Sequence, residues 1–299
     1  RAAFNKNSED LTPQDWLTLI NSVADEVADG TKNIIITHGT DTMAYSAAAI
    51  ALCFRDLPVK VVLTGSCFPI DHPNSDVTVN LLGAIATVSE PQIPNGIYVS
   101  FVNQAGETQV IDALDIKPMC FDELSFKASF GQYFGSFKSD TDSFEAHPLA
   151  RQTLPLSMKI NFSDINPAKL WANSQRIVQL NCYPGMNAVQ MCAGLTAGSC
   201  VMINLYHSGT GPSLAGENSL LEAVTSRTDL IFLLSALPSP YITKPYTATL
   251  SLMRAGAKVY QDLQPHVLYL LLVLGLSAGI DLDKLLTQLK VHQLALPTH

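Results

Sequence analysis

Three short polar clusters hold the side chains of this sequence best suited to chemistry. The first, His38-Gly39-Thr40-Asp41-Thr42, separates the β-branched run Ile34-Ile35-Ile36 from a strong helix former, Ala44 to Leu52. It crowds two hydroxyls and a carboxylate into one turn, where a single capping residue would suffice. The second is Thr64-Gly65-Ser66, after an apolar run from Val59, with Asn74-Ser75-Asp76 beyond it. The third is Asn103-Gln104-Ala105-Gly106, after Gly96 to Val102, with Lys117 further on. Taken singly, each has a plain reading as caps, a tight turn, a loop or a solvated lysine. A threonine hydroxyl is a weak nucleophile unless a neighbour draws off its proton, and the first cluster sets an acid beside one.

The elements around these clusters decide whether they can meet. Thr12-Pro13-Gln14-Asp15 starts a helix, with Thr as N-cap, Pro at N1 and an acid at N3, and the helix runs to about Val27. Strands are expected at 34–37, 59–64 and 96–102, and helices at 42–54 and 80–88. Apolar strands spaced by helices imply a parallel sheet covered on both faces. Ligands of such doubly wound sheets bind at the carboxyl ends of the strands, so strand-to-helix junctions converge in space. From Phe121 to about Ala172 the pattern weakens into a hairpin-bearing stretch and a linker. It resumes with strands at 176–181, 200–205 and 229–234, and helices at 220–227, 247–256, 265–276 and 282–290. The expected organisation is α/β: an N-terminal domain over 1–150, a linker over 151–175 and a smaller C-terminal α/β domain over 176–299.

Composition narrows the function classes. The 299 residues are 47% hydrophobic and 15% charged, with net charge −8, so no basic stripe exists to bind nucleic acid. Six cysteines form no CxxC pair, which fits a reduced, cytoplasmic protein. Seven histidines form no HxxxH or HExxH, so no metal site is expected. The most apolar stretch, His266 to Ser277, is shorter than the ~20 residues of a membrane span and reads as a buried helix.

The clusters in combination are more specific than any one of them. His38-Gly39-Thr40-Asp41-Thr42-Met43, then Thr64-Gly65-Ser66, then Ser75-Asp76 with Asn80-Leu81-Leu82, resembles the bacterial-type L-asparaginase family. Thr12-Pro13-Gln14-Asp15-Trp16 and Ala44-Tyr45-Ser46-Ala47-Ala48-Ala49 look closest to its cytosolic type I branch. In the second half, Tyr183-Pro184-Gly185, Leu205 to Pro212, Ala248-Thr249 and Ala255-Gly256-Ala257 are similar to the family's C-terminal pattern. The resemblance implies two Rossmann-like domains, a homodimer or homotetramer, and hydrolysis of L-asparagine to L-aspartate and ammonia without a cofactor. It assigns Thr40 as nucleophile, with Lys117 and Asp41 as amine and positioning acid. Ser8 would hold the substrate's α-carboxylate, Asp41 and Glu9 its α-ammonium, and backbone N–H groups near Thr40 and Ser66 the oxyanion.

Several positions depart from the family's pattern. The family opens with a strand ending in Thr-Gly-Gly-Thr-Ile, whose Thr is the usual primary nucleophile, followed by a mobile loop bearing a Tyr; this chain contains neither. A sheet without that strand is expected to expose an edge, which favours a segment preceding Arg1. Glu9 stands where the type I branch has Ser, and Asp115-Ile116-Lys117 where the family has Thr-Thr-Lys, with Lys127 as a substitute lysine. Val77 stands where the family prefers Gly, a residue suited to positive φ or a close approach. Two alternatives stay open: a non-catalytic amino-acid-binding or structural relative, and the asparaginase-like subunit of a tRNA-dependent amidotransferase.

Overall fold

The computed structural model describes residues 2–119, 124–129, 131–147, 159–214, 216, 218–235, 245–260 and 263–288. Residues 151–158 of the expected linker and 289–290 of the last expected helix lie outside them. The chain divides into two compact units, Arg1–Pro167 and Ala168–His299.

In the first unit, α1 (Pro13–Ala28) starts where the capping signal puts it. The Asp15 carboxylate accepts hydrogen bonds from Thr12 N–H (2.7 Å), Thr12 Oγ1–H (2.6 Å) and Lys6 Nζ (2.9 Å). β1 (Asn33–Thr37) leads to α2 (Met43–Phe54), whose alanine-rich body is almost wholly buried, with Tyr45 stacked on Trp16 of α1 at 6.1 Å. β2 (Lys60–Thr64), α3 (Val77–Ser89) and β3 (Gly96–Val102) follow. α3 begins three residues before the expected start. Val77, Thr78 and Val79 are β-branched and weak helix formers, and packing against the sheet overrides that preference. Lys60 of β2 fixes the far end of α3, donating to the carbonyls of Glu90 (2.7 Å), Val88 (3.3 Å) and Thr87 (3.4 Å).

β1, β2 and β3 pair in parallel, as the apolar runs imply. The sheet then continues antiparallel through β4 (Glu107–Asp112), β7 (Gly135–Lys138) and β8 (Ser143–Ala146), in the order β1-β2-β3-β4-β7-β8. A two-stranded piece, β5 (Ile116–Lys117) with β6 (Lys127–Ala128), stands apart from it. The first sheet is therefore mixed. Asn103 to Gly106 is a hairpin turn between β3 and β4 and not the strand-to-helix junction expected; the Asn103 side chain closes it on Ala105 N–H (2.9 Å) and Glu107 N–H (3.1 Å). Under the sheet, Val62, Ala84, Tyr98, Val110 and Phe134 form one buried cluster, with the Tyr98 and Phe134 rings edge to face at 5.1 Å.

β1 is the outer strand among the described residues. Lys60 N–H bonds the Lys32 carbonyl (2.7 Å) and His38 N–H bonds the Thr64 carbonyl (2.8 Å), so even-numbered residues point their backbone groups at β2. By the alternation of a strand, those of Asn33, Ile35 and Thr37 face the open side. A cleft of about 450 Å3 runs there, lined by Phe4, Leu19, Val23, Ile34 and Ile36 among others.

The second unit carries a wholly parallel sheet, ordered β12-β11-β10-β9: β9 (Ile177–Asn181), β10 (Cys200–Asn204), β11 (Ile231–Ser235) and β12 (Lys258–Tyr260). Its helices are α4 (Pro167–Gln175), α5 (Ala188–Cys192), α6 (Leu220–Ser226), α7 (Thr247–Arg254), α8 (Pro265–Ser277) and α9 (Leu282–Gln288). α4 lies in the stretch read as linker, and the three-residue β12 gave too short a signal to be read. α8 is the buried apolar helix expected, and no helix among the described residues is long and apolar enough to cross a membrane.

Candidate active site

Hydrogen bonds tie the carboxyl ends of β1, β2 and β3 together. His38 N–H reaches the Thr64 carbonyl, joining the first cluster to the second. Asn80, fully buried on α3, joins the second to the end of β3: its Nδ2 donates to the Gly65 carbonyl (2.9 Å) and its Oδ1 accepts Val102 N–H (2.7 Å). The same Nδ2 donates to Asp76 Oδ2 (2.9 Å). The Asp76 carboxylate also accepts the N–H groups of Cys67 (3.0 and 3.1 Å) and Phe68 (3.2 Å), so it organises the loop after Ser66 and does not cap its own helix. Thr64 Oγ1 donates to the Ser100 carbonyl (2.8 Å). The first two clusters are thus bonded at the strand ends, whereas the third is reached only at Val102, the residue before its hairpin turn.

Two glycines permit this density. A Cβ on Gly65 would overlap the His38 carbonyl oxygen, and a Cβ on Gly39 would lie 2.5 Å from Ser8 Oγ. Both positions need a residue without a side chain because backbone or buried side chain fills the space. Val77 makes no such demand here. It opens α3 with an ordinary negative φ, so the glycine expected from the family pattern has no conformational role at this position.

Ser8 is buried in a short 3-10 turn, Ser8–Asp10, and folds against the first cluster. Its Oγ lies 3.4 Å from Asp41 Oδ2, and its carbonyl accepts Thr42 Oγ1–H at 2.8 Å. Ser8, Thr40 and Asp41 are thus brought together across more than thirty residues of sequence. Thr40 is half-buried, and Asp41 and Glu9 are exposed. Ser66 is half-buried at the end of β2. Lys117 is half-buried on β5, directly opposite Lys127 in the antiparallel register. Among the described residues no hydrogen bond or ion pair joins Lys117 to Thr40 or Asp41.

Three contributors to the framework of this candidate site carried no clear signal in the sequence. Asn80 and Asp76 were visible only as pattern residues without a role; a lone amide in an otherwise apolar helix was the available signal. The third is the pair His38 and Ser46. His38 Nδ1 lies 2.7 Å from the Gly39 carbonyl and Nε2 2.8 Å from the hydroxyl of the fully buried Ser46. Burial pulls the His38 pKa below its usual value, opposed by its bond to the Gly39 carbonyl. Among the described residues no three His, Cys, Asp or Glu side chains cluster as metal ligands would.

The fold and this network define a class: an α/β protein whose site sits at the carboxyl ends of parallel strands and is built from hydroxyls, a carboxylate and backbone amides. Residues 1–130, within the first unit, match the family described as asparaginase, N-terminal. An L-asparaginase of Thermococcus kodakarensis is 43% identical over 104 residues, 35% of this chain and 31% of that protein. A glutamyl-tRNA(Gln) amidotransferase component of Saccharolobus solfataricus is 28% identical over 287 residues, 94% of this chain and 62% of that protein. The chain thus spans less than two-thirds of the length of either relative. Among solved structures, the thermostable L-asparaginase of T. kodakarensis superposes with a TM-score of 0.72 at 23% identity, covering 96% of this chain and 82% of that one. L-asparaginase I of Vibrio cholerae gives 0.67 at 21% identity, covering 95% and 81%. The motif resemblance is borne out, and the architecture is that of these asparaginase structures.

Proposed function

We propose that the protein is an asparaginase-type amidohydrolase acting on L-asparagine. The observation that carries the reading is the packing of buried Ser8 against Asp41 and Thr42, beside Thr40. An α-amino acid presents one carboxylate and one ammonium on the same carbon. A hydroxyl donor beside a carboxylate acceptor is the complementary arrangement, with Glu9 as a second acceptor for the ammonium.

In the reaction, the Thr40 hydroxyl attacks the side-chain amide carbon and its proton passes to Lys117, steadied by Asp41. The tetrahedral oxyanion is held by N–H groups near Thr40 and Ser66. Collapse expels ammonia, which takes up the proton, and leaves an acyl ester on Thr40. Water then cleaves that ester to give L-aspartate and restores the hydroxyl. No cofactor is needed. The enzyme acts in the cytoplasm as a homodimer or homotetramer on a free small-molecule substrate. Preference for asparagine over glutamine depends on pocket depth beyond Thr40.

One observation favours a second reading. Similarity to the amidotransferase component runs along 94% of this chain. The two readings separate in a coupled assay with purified full-length protein and L-asparagine. Equimolar ammonia and aspartate without RNA or partner protein is the expected result. Turnover that needs an amidotransferase partner and tRNA supports the second reading. Stabilisation by aspartate with no ammonia under either condition leaves a non-catalytic binder.

A further inference from the structure

His38 touches more of the site's framework than its place beside the catalytic turn requires. Its N–H holds the end of β2 through the Thr64 carbonyl, and its own carbonyl abuts Gly65. Its ring lies between the Gly39 carbonyl and Ser46 of α2. A carbonyl can only accept, so the neutral ring carries its proton on Nδ1 and accepts the Ser46 O–H at Nε2. The tautomer is set by this pair of partners.

The consequence falls on Thr40. The Gly39 carbonyl and the Thr40 N–H belong to one planar trans peptide and point in opposite directions. Fixing the carbonyl therefore fixes the direction of the amide. That Thr40 N–H finds no acceptor among the described residues, and neither do those of Gly39, Asp41 and Thr42 beside it, so the turn's amides are open beyond the bonded His38 N–H. We propose that His38 is a positioning residue, whose ring clamps the Gly39 carbonyl and so aims the Thr40 N–H at the oxyanion formed on the amide substrate. The inference rests on the amidohydrolase reading and adds a role for His38 within it. His38 neither touches substrate nor exchanges a proton in the reaction. Protonation of the ring leaves the Nδ1–H donor in place, because Ser46 can turn its own proton to the Thr42 carbonyl one helical turn back.

Two substitutions separate the clamp from general support of the fold. Asparagine at 38 offers an N–H close to the Nδ1 position, whereas glutamine offers one near Nε2, too far along to reach Gly39. His38→Gln is expected to lower kcat about 10- to 100-fold, less than deletion of a whole oxyanion donor, with KM for L-asparagine changed by no more than about threefold. His38→Asn is expected to recover most of kcat, and the acid limb of the pH–rate profile stays where it is in both. In amide NMR spectra the Thr40 resonance shifts in His38→Gln and stays near its native position in His38→Asn. If His38→Gln fails to fold, Ser46→Ala, which unlocks the tautomer, reads the same quantities.

Equal loss in the Gln and Asn variants, a parallel collapse of kcat, KM and Tm, or a displaced acid limb overturns the proposal. A wild-type protein that releases no ammonia refutes the amidohydrolase reading. In that case an unmoved Thr40 resonance in His38→Gln refutes the clamp separately.

Discussion

Asn80→Leu removes a side chain that bonds to the ends of both β2 and β3 while keeping nearly the same volume. The Asn80 amide makes three bonds: to the Gly65 carbonyl, to Asp76 Oδ2 and from Val102 N–H. In the variant each partner loses its bond in a region where Asn80 itself has no exposed surface. A buried group left unsatisfied costs about 1–3 kcal/mol. Gly65 and Asp76 sit at the partly exposed loop, where water can replace part of the loss, so the low end applies to them and the middle to Val102. The expected destabilisation is about 3–4 kcal/mol, a large share of the ~5–15 kcal/mol that holds a domain together. Urea unfolding followed by circular dichroism measures it, with exposed Ser89→Ala as a control expected within ~0.5 kcal/mol of wild type. The loss also loosens the loop after Ser66, so proteolysis within residues 67–75 should accelerate in step. A destabilisation below about 1 kcal/mol, or one matched by the control, would refute the view that Asn80 unites the strand ends.

Two further substitutions probe the same frame. Gly39→Ala places a Cβ 2.5 Å from Ser8 Oγ and 2.7 Å from Ser8 Cβ. It should push the Ser8 turn away, raising KM about tenfold or more while α2 and the core stay folded; an unchanged KM would separate Ser8 from substrate binding. Asp112 is buried, which raises its carboxyl to about 6 from 3.8, against the Leu114 N–H bond and the charge of Arg55, both of which lower it. A raised folded-state value means stability that is complete below pH 3.8 and lost as pH climbs through 6. Asp112→Asn keeps an oxygen for Leu114 N–H and has no charge to bury. It should match wild type near pH 4 and exceed it by up to about 3 kcal/mol at pH 7–8, read from paired unfolding curves; a pH-independent difference would contradict the assignment.

The parallel core of each unit was legible because its signals are strong and local. Ile34 to Thr37 is continuously β-branched and Val59 to Thr64 nearly so, broken only by Lys60 and Leu63, and the start of α1 announces itself through Thr12, Pro13 and Asp15. The clusters at the strand ends could be read as one site because doubly wound sheets gather such junctions. The antiparallel half of the first sheet could not, since β5 and β6 are two residues each and β7 and β8 four, too short for periodicity to show. The Asn103 turn was read as a junction because an Asx turn and a helix cap use the same residue types. The roles of Asn80, Asp76 and His38 were hidden for another reason. Each acts through backbone groups of residues distant in sequence or through its own neighbour's carbonyl, and no spacing rule encodes such partners. Thr40, Asp41 and Ser8 were named by resemblance, and their proximity supports that naming. Lys117 rests on resemblance alone.

The central claim is that the Thr40 hydroxyl carries out amide hydrolysis, and steady-state ammonia release from L-asparagine by the full-length protein and by Thr40→Ala tests it most directly. The account predicts turnover by the wild type and a loss of at least about 10³-fold in kcat for Thr40→Ala, with aspartate binding and the unfolding midpoint close to native. Turnover by Thr40→Ala within a few-fold of wild type would contradict it.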